Sequence, residues 1–92
     1  MNVKLAKFGK MLISRPAGKE AFLSAKAYVF TKSVKELTLD FLGVEVMTPS
    51  WLDEFLMGVR TTYPAIVIKF DHTDNESVKE SLSICEPVSR ES

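Results

Sequence analysis

The N-terminal residues alternate between apolar and polar side chains at the spacing of a β-strand. Val3 and Leu5 lie at period two, and Lys7 continues the same register. Gly9 follows as a natural turn residue, and residues 11–13 form a second short apolar run. This pattern predicts a β-hairpin at the start of the chain.

The next segment has the spacing of a helix. Ser14 offers an N-cap oxygen and Pro16 suits a first helical turn, so the first helix is expected over residues 16–30. The apolar residues that share one face are Ala21, Phe22, Ala25, Tyr28 and Val29. Polar residues fill most of the opposite face, as expected of a helix that packs on a core.

A strand and a second helix follow. Leu37, Leu39 and Phe41 alternate with polar residues, which predicts a strand that ends before the turn residue Gly43. Apolar residues then recur at helical spacing, namely Leu52, Phe55, Leu56 and Val59. This second helix is expected over residues 50–61.

The start of the second helix carries more than one cap signal. Thr48 and Ser50 each offer a cap oxygen, and Pro49 fits the first turn. Ser50 and Asp53 also form a capping-box-like pair. The sequence therefore leaves open which of the two hydroxyls caps the helix.

The C-terminal third predicts one more strand and one more helix. Residues 66–70 form a β-branched run, and residues 71–74 read as a polar turn. Asn75 is expected to cap a last helix. The apolar side of that helix carries Val78, Leu82 and Cys85. Residues 1–85 are expected to form one domain and residues 86–92 a flexible tail.

The predicted element order is β-β-α-β-α-β-α, which is an α/β fold. Strand–helix–strand crossovers imply parallel neighbouring strands with right-handed connections. The later strands alternate polar and apolar residues, whereas a sheet covered on both faces is more continuously apolar. We therefore expect a small mixed β-sheet with about three helices on one face.

Composition narrows the classes of function. Twelve Lys and Arg residues balance twelve Asp and Glu residues, so the chain lacks the basic surplus typical of nucleic-acid binders. The longest apolar run, residues 65–68, is too short to span a bilayer, and no N-terminal signal pattern is present. The single cysteine, Cys85, forms no internal disulfide. We expect a cytoplasmic protein that binds neither nucleic acid nor membrane.

The stretch from Leu39 to Ser50, LDFLGVEVMTPS, is the most distinctive part of the chain. With Ser14-Arg15, with SWLDEF at residues 50–55 and with a weaker Asp74-Asn75, it resembles the STAS superfamily. The closer similarity is to a bacterial STAS-like family of unknown function. This resemblance implies a STAS-like fold and a non-enzymatic regulatory role, in the manner of anti-sigma factor antagonists.

Anti-sigma factor antagonists bind a histidine-kinase-like ATPase, which phosphorylates a serine at the start of the helix after the third strand. The resemblance therefore implies a protein partner of that kind, docked at the N-terminus of the second helix. The residues at that position are Thr48, Pro49, Ser50 and Trp51. Pro49 stands where the antagonists carry the phosphoserine, and proline accepts no phosphate. Phosphorylation would fall instead on Ser50 or Thr48.

Two of these residues also have a structural interpretation. Ser50 is either a phospho-acceptor or a plain helix cap. Arg15 either meets an anionic ligand or partner, or it pairs within the fold. Its candidate partners within the fold are Asp40, Asp53 and Glu54.

The remaining candidate residues point to structure more than to chemistry. Asp40, at a strand end, is expected to accept backbone hydrogen bonds, and Asn75 supports the last helix. Trp51 is either core or a partner-facing anchor. Adjacent helical positions such as Asp53 and Glu54 point about 100° apart and have no nucleophile nearby, so no catalysis is expected.

No metal site and no cofactor are expected. The single histidine among the acids of residues 71–75 lacks the ligand count of a zinc site and the spacing of a calcium loop. Two other functions stay open. The chain is either a structural domain that self-associates as a homodimer, or a small-ligand-binding domain, although it has no glycine-rich phosphate loop.

Overall fold

The computed structural model describes residues 1–28 and 34–85. These residues form five strands and three α-helices. In chain order the elements are β1 (Asn2–Lys4), β2 (Met11–Leu12), α1 (Arg15–Tyr28), β3 (Glu36–Asp40), β4 (Val46–Met47), α2 (Pro49–Thr62), β5 (Val67–Asp71) and α3 (Glu76–Cys85). The α/β class is confirmed. The predicted residues 29–30 of the first helix and the predicted tail, residues 86–92, lie outside the described residues.

The predicted hairpin is wrong, because β1 and β2 do not pair with each other. A 3-10 turn, Leu5–Phe8, separates them; it buries Leu5 and leaves Lys7 exposed. The period-two spacing of these residues therefore reflects a strand that stops after Lys4 and then turns. Each short strand finds a partner that is distant in the sequence.

The strands form two sheets rather than one mixed sheet. One sheet has the order β1-β3-β5, and the other consists of β2 and β4. All pairs are parallel, as the crossover argument predicted. The short strand β4 was missed, because two residues are too few to show alternation.

The three-stranded sheet has one buried and one polar face. Val3, Leu39 and Phe70 lie in register, and so do Leu37 and Ile68. These side chains join the helices in one apolar cluster. The opposite face is polar, as in the register row formed by Asn2, Thr38 and Lys69. This arrangement agrees with helices packed on one face.

The two long helices approach each other closely at two glycines. A Cβ on Gly18 of α1 would lie 2.5 Å from the carbonyl oxygen of Trp51 in α2. A Cβ on Gly58 of α2 would lie 2.6 Å from the ring of Phe22. Phe22 also meets Phe55 edge-to-face, with ring centroids 6.2 Å apart. Together these contacts hold α2 closely against α1.

No helix within residues 1–28 and 34–85 is long and apolar enough to cross a membrane.

Candidate functional site

The start of α2 is fixed by Thr48, which is the N-cap. Its Oγ1 accepts a hydrogen bond from the N–H of Trp51 at 3.4 Å. Its own N–H donates to the carbonyl of Leu12 at 3.0 Å. Thr48 therefore joins α2 to the β2–β4 sheet and satisfies one of the free amides of the helix. The capping-box interpretation of Ser50 is wrong, because Ser50 lies inside the helix and not before it.

Ser50 is exposed in the first turn of α2, directly after Pro49. A proline has no N–H to satisfy, and its fixed φ favours the start of a helix. Because Thr48 is the cap, the serine hydroxyl has no capping role. Of the four residues predicted at this surface, Ser50 is the one that is exposed.

Trp51 belongs to the core, which decides between its two interpretations. Its side chain is 1% exposed. Its ring stacks on Phe55 with centroids 5.3 Å apart and an interplanar angle of 7°. Burying an aromatic or large aliphatic side chain stabilises the fold by about 1.5–3 kcal/mol. Trp51 therefore supports the surface from below as part of the core.

Arg15 forms a forked ion pair with both acids of the first two turns of α2. Its Nη1 lies 2.9 Å from Asp53 Oδ2 and 2.9 Å from Glu54 Oε1. These hydrogen bonds, to Asp53 first and then to Glu54, raise the pKa of Arg15 above its ordinary value. The predicted pairing within the fold is confirmed for these two acids, whereas Asp40 is not a partner of Arg15. The forked pair holds the start of α1 beside the start of α2.

Asp40 accepts a backbone hydrogen bond, as predicted, and also binds a histidine that the sequence did not point to. Its Oδ1 accepts the N–H of Leu42 at 2.9 Å and lies 2.8 Å from His72 Nδ1. The Leu42 hydrogen bond is the main cause that lowers the pKa of Asp40, and the hydrogen bond to Asp40 raises the pKa of His72. Asp40 ends β3 and His72 directly follows the parallel strand β5, so parallel pairing was the signal that could have predicted their contact.

Asn75 caps α3, as predicted, and its side chain also binds the neighbouring sheet. Its Oδ1 accepts the N–H of Ser77 at 2.8 Å, while its Nδ2 donates to the carbonyl of Glu45 at 3.0 Å. Ser77 Oγ accepts the N–H of Met47 in β4 at 3.0 Å. The side of β4 that faces away from β2 is thus occupied by Ser77 of α3, while Asn75 binds the residue just before β4.

An exposed apolar group, missed by the sequence reasoning, lies beside the start of α2. Met11 and Val46 are paired in register across β2 and β4 and are 61% and 37% exposed. Ile13, 51% exposed, follows β2, and the same register continues to Thr48 at the helix start. Alternation with the buried Leu12 was the sequence signal for this face. We call Met11, Ile13, Val46 and Ser50 the α2-start surface.

The charged groups beside this surface form ion pairs with one another. Asp53 and Glu54 both bind Arg15. Among the described residues, no group of three or more His, Cys, Asp or Glu side chains is arranged to hold a metal ion. Cys85, half-buried at the end of α3, donates to the carbonyl of Pro49 at 3.4 Å. The geometry at this surface is that of a rigid helix end beside an apolar patch.

A family model described as a STAS-like domain of unknown function matches residues 19–78, more than half of the chain. The chain belongs to this STAS-like family. The match extends from α1 to the start of α3 and so contains the helix start with Ser50. No curated protein and no solved structure matched the chain in the corresponding comparisons.

Proposed function

We propose that this STAS-like domain is a non-enzymatic regulatory module that binds a protein partner through the α2-start surface. The observation that carries the proposal is an exposed hydroxyl, Ser50, in the first turn of a capped helix that directly follows a strand pair with three exposed apolar side chains. Apolar side chains grouped at a surface are typical of protein-binding sites, and a polar group at their border gives orientation.

The surroundings of Ser50 suit control by phosphorylation. A phosphate on Ser50 would lie at the N-terminus of α2, where helix amides and the helix dipole favour negative charge. It would also add nearly two negative charges within one helical turn of Asp53 and Glu54, the two acids held by Arg15. Competition for Arg15 would then change the surface that a partner meets.

The partner proposed is a histidine-kinase-like ATPase that phosphorylates Ser50 or Thr48. This part of the proposal is supported by the resemblance to anti-sigma factor antagonists. Ser50 is the better acceptor of the two, because Thr48 Oγ1 already accepts the N–H of Trp51 and lies 3.4 Å from the carbonyl of Leu12. Phosphorylating Thr48 would disturb the helix cap.

The test is capture of cross-linked partners from the host's lysate with four tagged proteins. These are the wild-type chain, Ser50→Asp, Ile13→Asp and the control Ser83→Asp, which changes an exposed serine of α3. We expect an ATPase partner that wild type and Ser83→Asp retain and the two surface variants lose. Purified partner with ATP should then add phosphate to wild type but not to Ser50→Ala. Equal capture by all four proteins would overturn the assignment of this surface.

A second candidate is self-association through the same surface. Met11 and Val46 are flanked by Lys10 and Glu45, whose charged groups lie 4.0 Å apart. A patch with one positive and one negative group is self-complementary about a two-fold axis, as a homodimer requires. Sedimentation of wild type and Ile13→Asp over a wide concentration range separates the candidates. A wild-type monomer at every concentration excludes the homodimer.

A further inference from the structure

A cavity of about 290 Å³ lies along one edge of β2. Its lining comes from α1, from β2, from the 3-10 turn and from α2. Met11 and Leu12 both contribute to it, although neighbouring strand residues point to opposite faces. A space that touches both faces of a strand lies at the edge of that strand. No residue of β4 lines the cavity, so this is the edge that faces away from β4.

The backbone of β2 confirms which edge is open. The carbonyl of Lys10 accepts the N–H of Val46, and the carbonyl of Leu12 accepts the N–H of Thr48. Backbone groups of successive strand residues alternate in direction, so the N–H and C=O of Met11 point away from β4. On the far side of β4, the N–H of Met47 already donates to Ser77 Oγ, and Asn75 binds the carbonyl of Glu45 just before the strand. The β2 edge is therefore where this two-stranded sheet can accept another strand.

The cavity has an apolar floor and one charged wall. The buried Trp51 and Leu12 form the floor, and the half-buried Phe8 adds to the apolar lining. Glu20 stands exposed on the α1 wall and forms no ion pair with any residue that the structure describes. The site thus offers backbone hydrogen bonds at the strand, apolar contact at the floor and a negative charge at the helix.

We infer that this groove binds an extended segment of a partner protein, which adds to the β2 edge as a third strand. Strand addition of this kind takes its affinity from main-chain hydrogen bonds and its specificity from alternate side chains. One apolar side chain of the segment reaches the floor, and a basic residue two positions away meets Glu20. The inference does not rest on the proposed function, because the groove shares only Met11 with the α2-start surface.

The test starts with selection of short random peptides displayed on phage against the purified full chain. Selected sequences are then synthesised, and their affinity is measured by fluorescence anisotropy. We expect an apolar and a basic residue at alternate positions. Isotope-labelled protein should show amide shifts at Ala17, Ala21 and Ser24, which line the groove, that exceed those at Val46 and Ser50. A peptide that shifts Val46 and Ser50 and spares these three residues of α1 would instead report binding at the α2-start surface.

Three variants test the mode of binding. Met11→Pro removes the outward N–H while β4 pairing is kept, since proline is tolerated where the N–H faces away from the neighbouring strand. It should weaken peptide binding about tenfold, whereas Met11→Ala should reduce the affinity much less. Glu20→Lys should weaken the binding of peptides with a basic residue by a similar factor. Glu80→Lys, the same change at an exposed site of α3, should leave the affinity of these peptides unchanged.

A second measurement does not depend on the folding of Met11→Pro. Methylating alternate backbone nitrogens of the peptide removes one set of main-chain donors, and one of the two methylation patterns should abolish binding. Equal binding by both patterns would overturn strand addition, as would the failure of any peptide to exceed background. If wild type forms a dimer that Met11→Pro prevents, the edge pairs with a second copy, and the inference of a partner segment is wrong.

Discussion

The imidazole Nδ1 of His72 lies 2.8 Å from the carboxylate Oδ1 of Asp40, and the contact joins the carboxyl ends of β5 and β3. The Asp40 side chain is 8% exposed and that of His72 is 48% exposed. His72 adopts a positive φ of 55°, a conformation that few residues other than glycine adopt readily. The pair connects the turn before α3 to the turn that leads into β4. Both turns precede elements that surround the start of α2.

Stability should therefore depend on pH near neutrality. The pKa of His72 is raised by Asp40, so its contribution is complete below the ordinary value of 6.5 and disappears as pH rises through the raised value. The pKa of Asp40 is lowered, so its contribution is present above 3.8 and disappears as pH falls through the lowered value. The free energy of unfolding should be highest between these limits. Denaturant unfolding over a pH series measures the profile.

The matched variant for this prediction is His72→Asn, because asparagine tolerates positive φ and does not titrate. It should flatten the decline of stability above neutral pH. Asp74→Asn removes the neighbouring charge with the smallest effect on the pKa of His72, so it should keep most of the decline. A free energy of unfolding of the wild type that rises steadily from about pH 5 to about pH 9 would contradict the pairing.

The helix cap at Thr48 should contribute more to stability than the neighbouring hydroxyl of Ser50. Thr48→Ala removes the oxygen that accepts the N–H of Trp51, and loss of an N-cap costs about 0.5–2 kcal/mol. Ser50→Ala changes an exposed residue inside the helix and should stay within about 0.5 kcal/mol of wild type. Chemical denaturation measures both. A larger loss in Ser50→Ala would show that the cap is assigned to the wrong residue.

Adding one methyl group at Gly18 should destabilise the protein, because it disturbs the contact between α1 and α2. Gly18→Ala places a Cβ against the backbone oxygen of Trp51, which cannot move away without shifting the helix. Overpacking of this kind costs about 1–3 kcal/mol, despite the better helix propensity of alanine. Gly58→Ala meets the Phe22 side chain instead, so it should cost less. Thermal unfolding of both variants tests this order, and a stabilised Gly18→Ala protein would contradict the close approach.

Replacing Ser81 should stabilise the protein. Its side chain is fully buried in α3, and its hydroxyl has no hydrogen-bond partner among the described residues. A buried polar group without a partner costs about 1–3 kcal/mol, so Ser81→Ala should raise the free energy of unfolding by roughly 1 kcal/mol. Ser83→Ala, at an exposed site two residues away, is the control and should be neutral. A destabilised Ser81→Ala protein would indicate that the hydroxyl has a partner.

Much of the fold could be predicted from local patterns. The α2 stripe of Leu52, Phe55 and Val59 lies at helical spacing, and all three residues are buried. Ser14 and Asn75 cap their helices through local hydrogen bonds. These predictions succeed because caps and stripes depend on residues within a turn or two of each other.

The candidate site was predicted only in part. The sequence pointed to Ser50 at the start of α2, and Ser50 is exposed there. It left Trp51 undecided, because a large aromatic residue at the border of an apolar stripe fits both a core and a binding surface. It also missed the exposed face of Met11 and Val46, since that face exists only once two strands distant in the sequence have paired.

By itself, the sequence determined the helices, the caps of α1 and α3, the parallel direction of the main strands and the resemblance to STAS-like domains. These follow from spacing and from residue types within short segments. Tertiary structure alone decided that β1 pairs with β3 and β2 with β4, that Trp51 is core, and that His72 reaches Asp40. Each of these depends on contacts between distant segments, and the burial and hydrogen bonds that favour them appear only when the whole chain packs together.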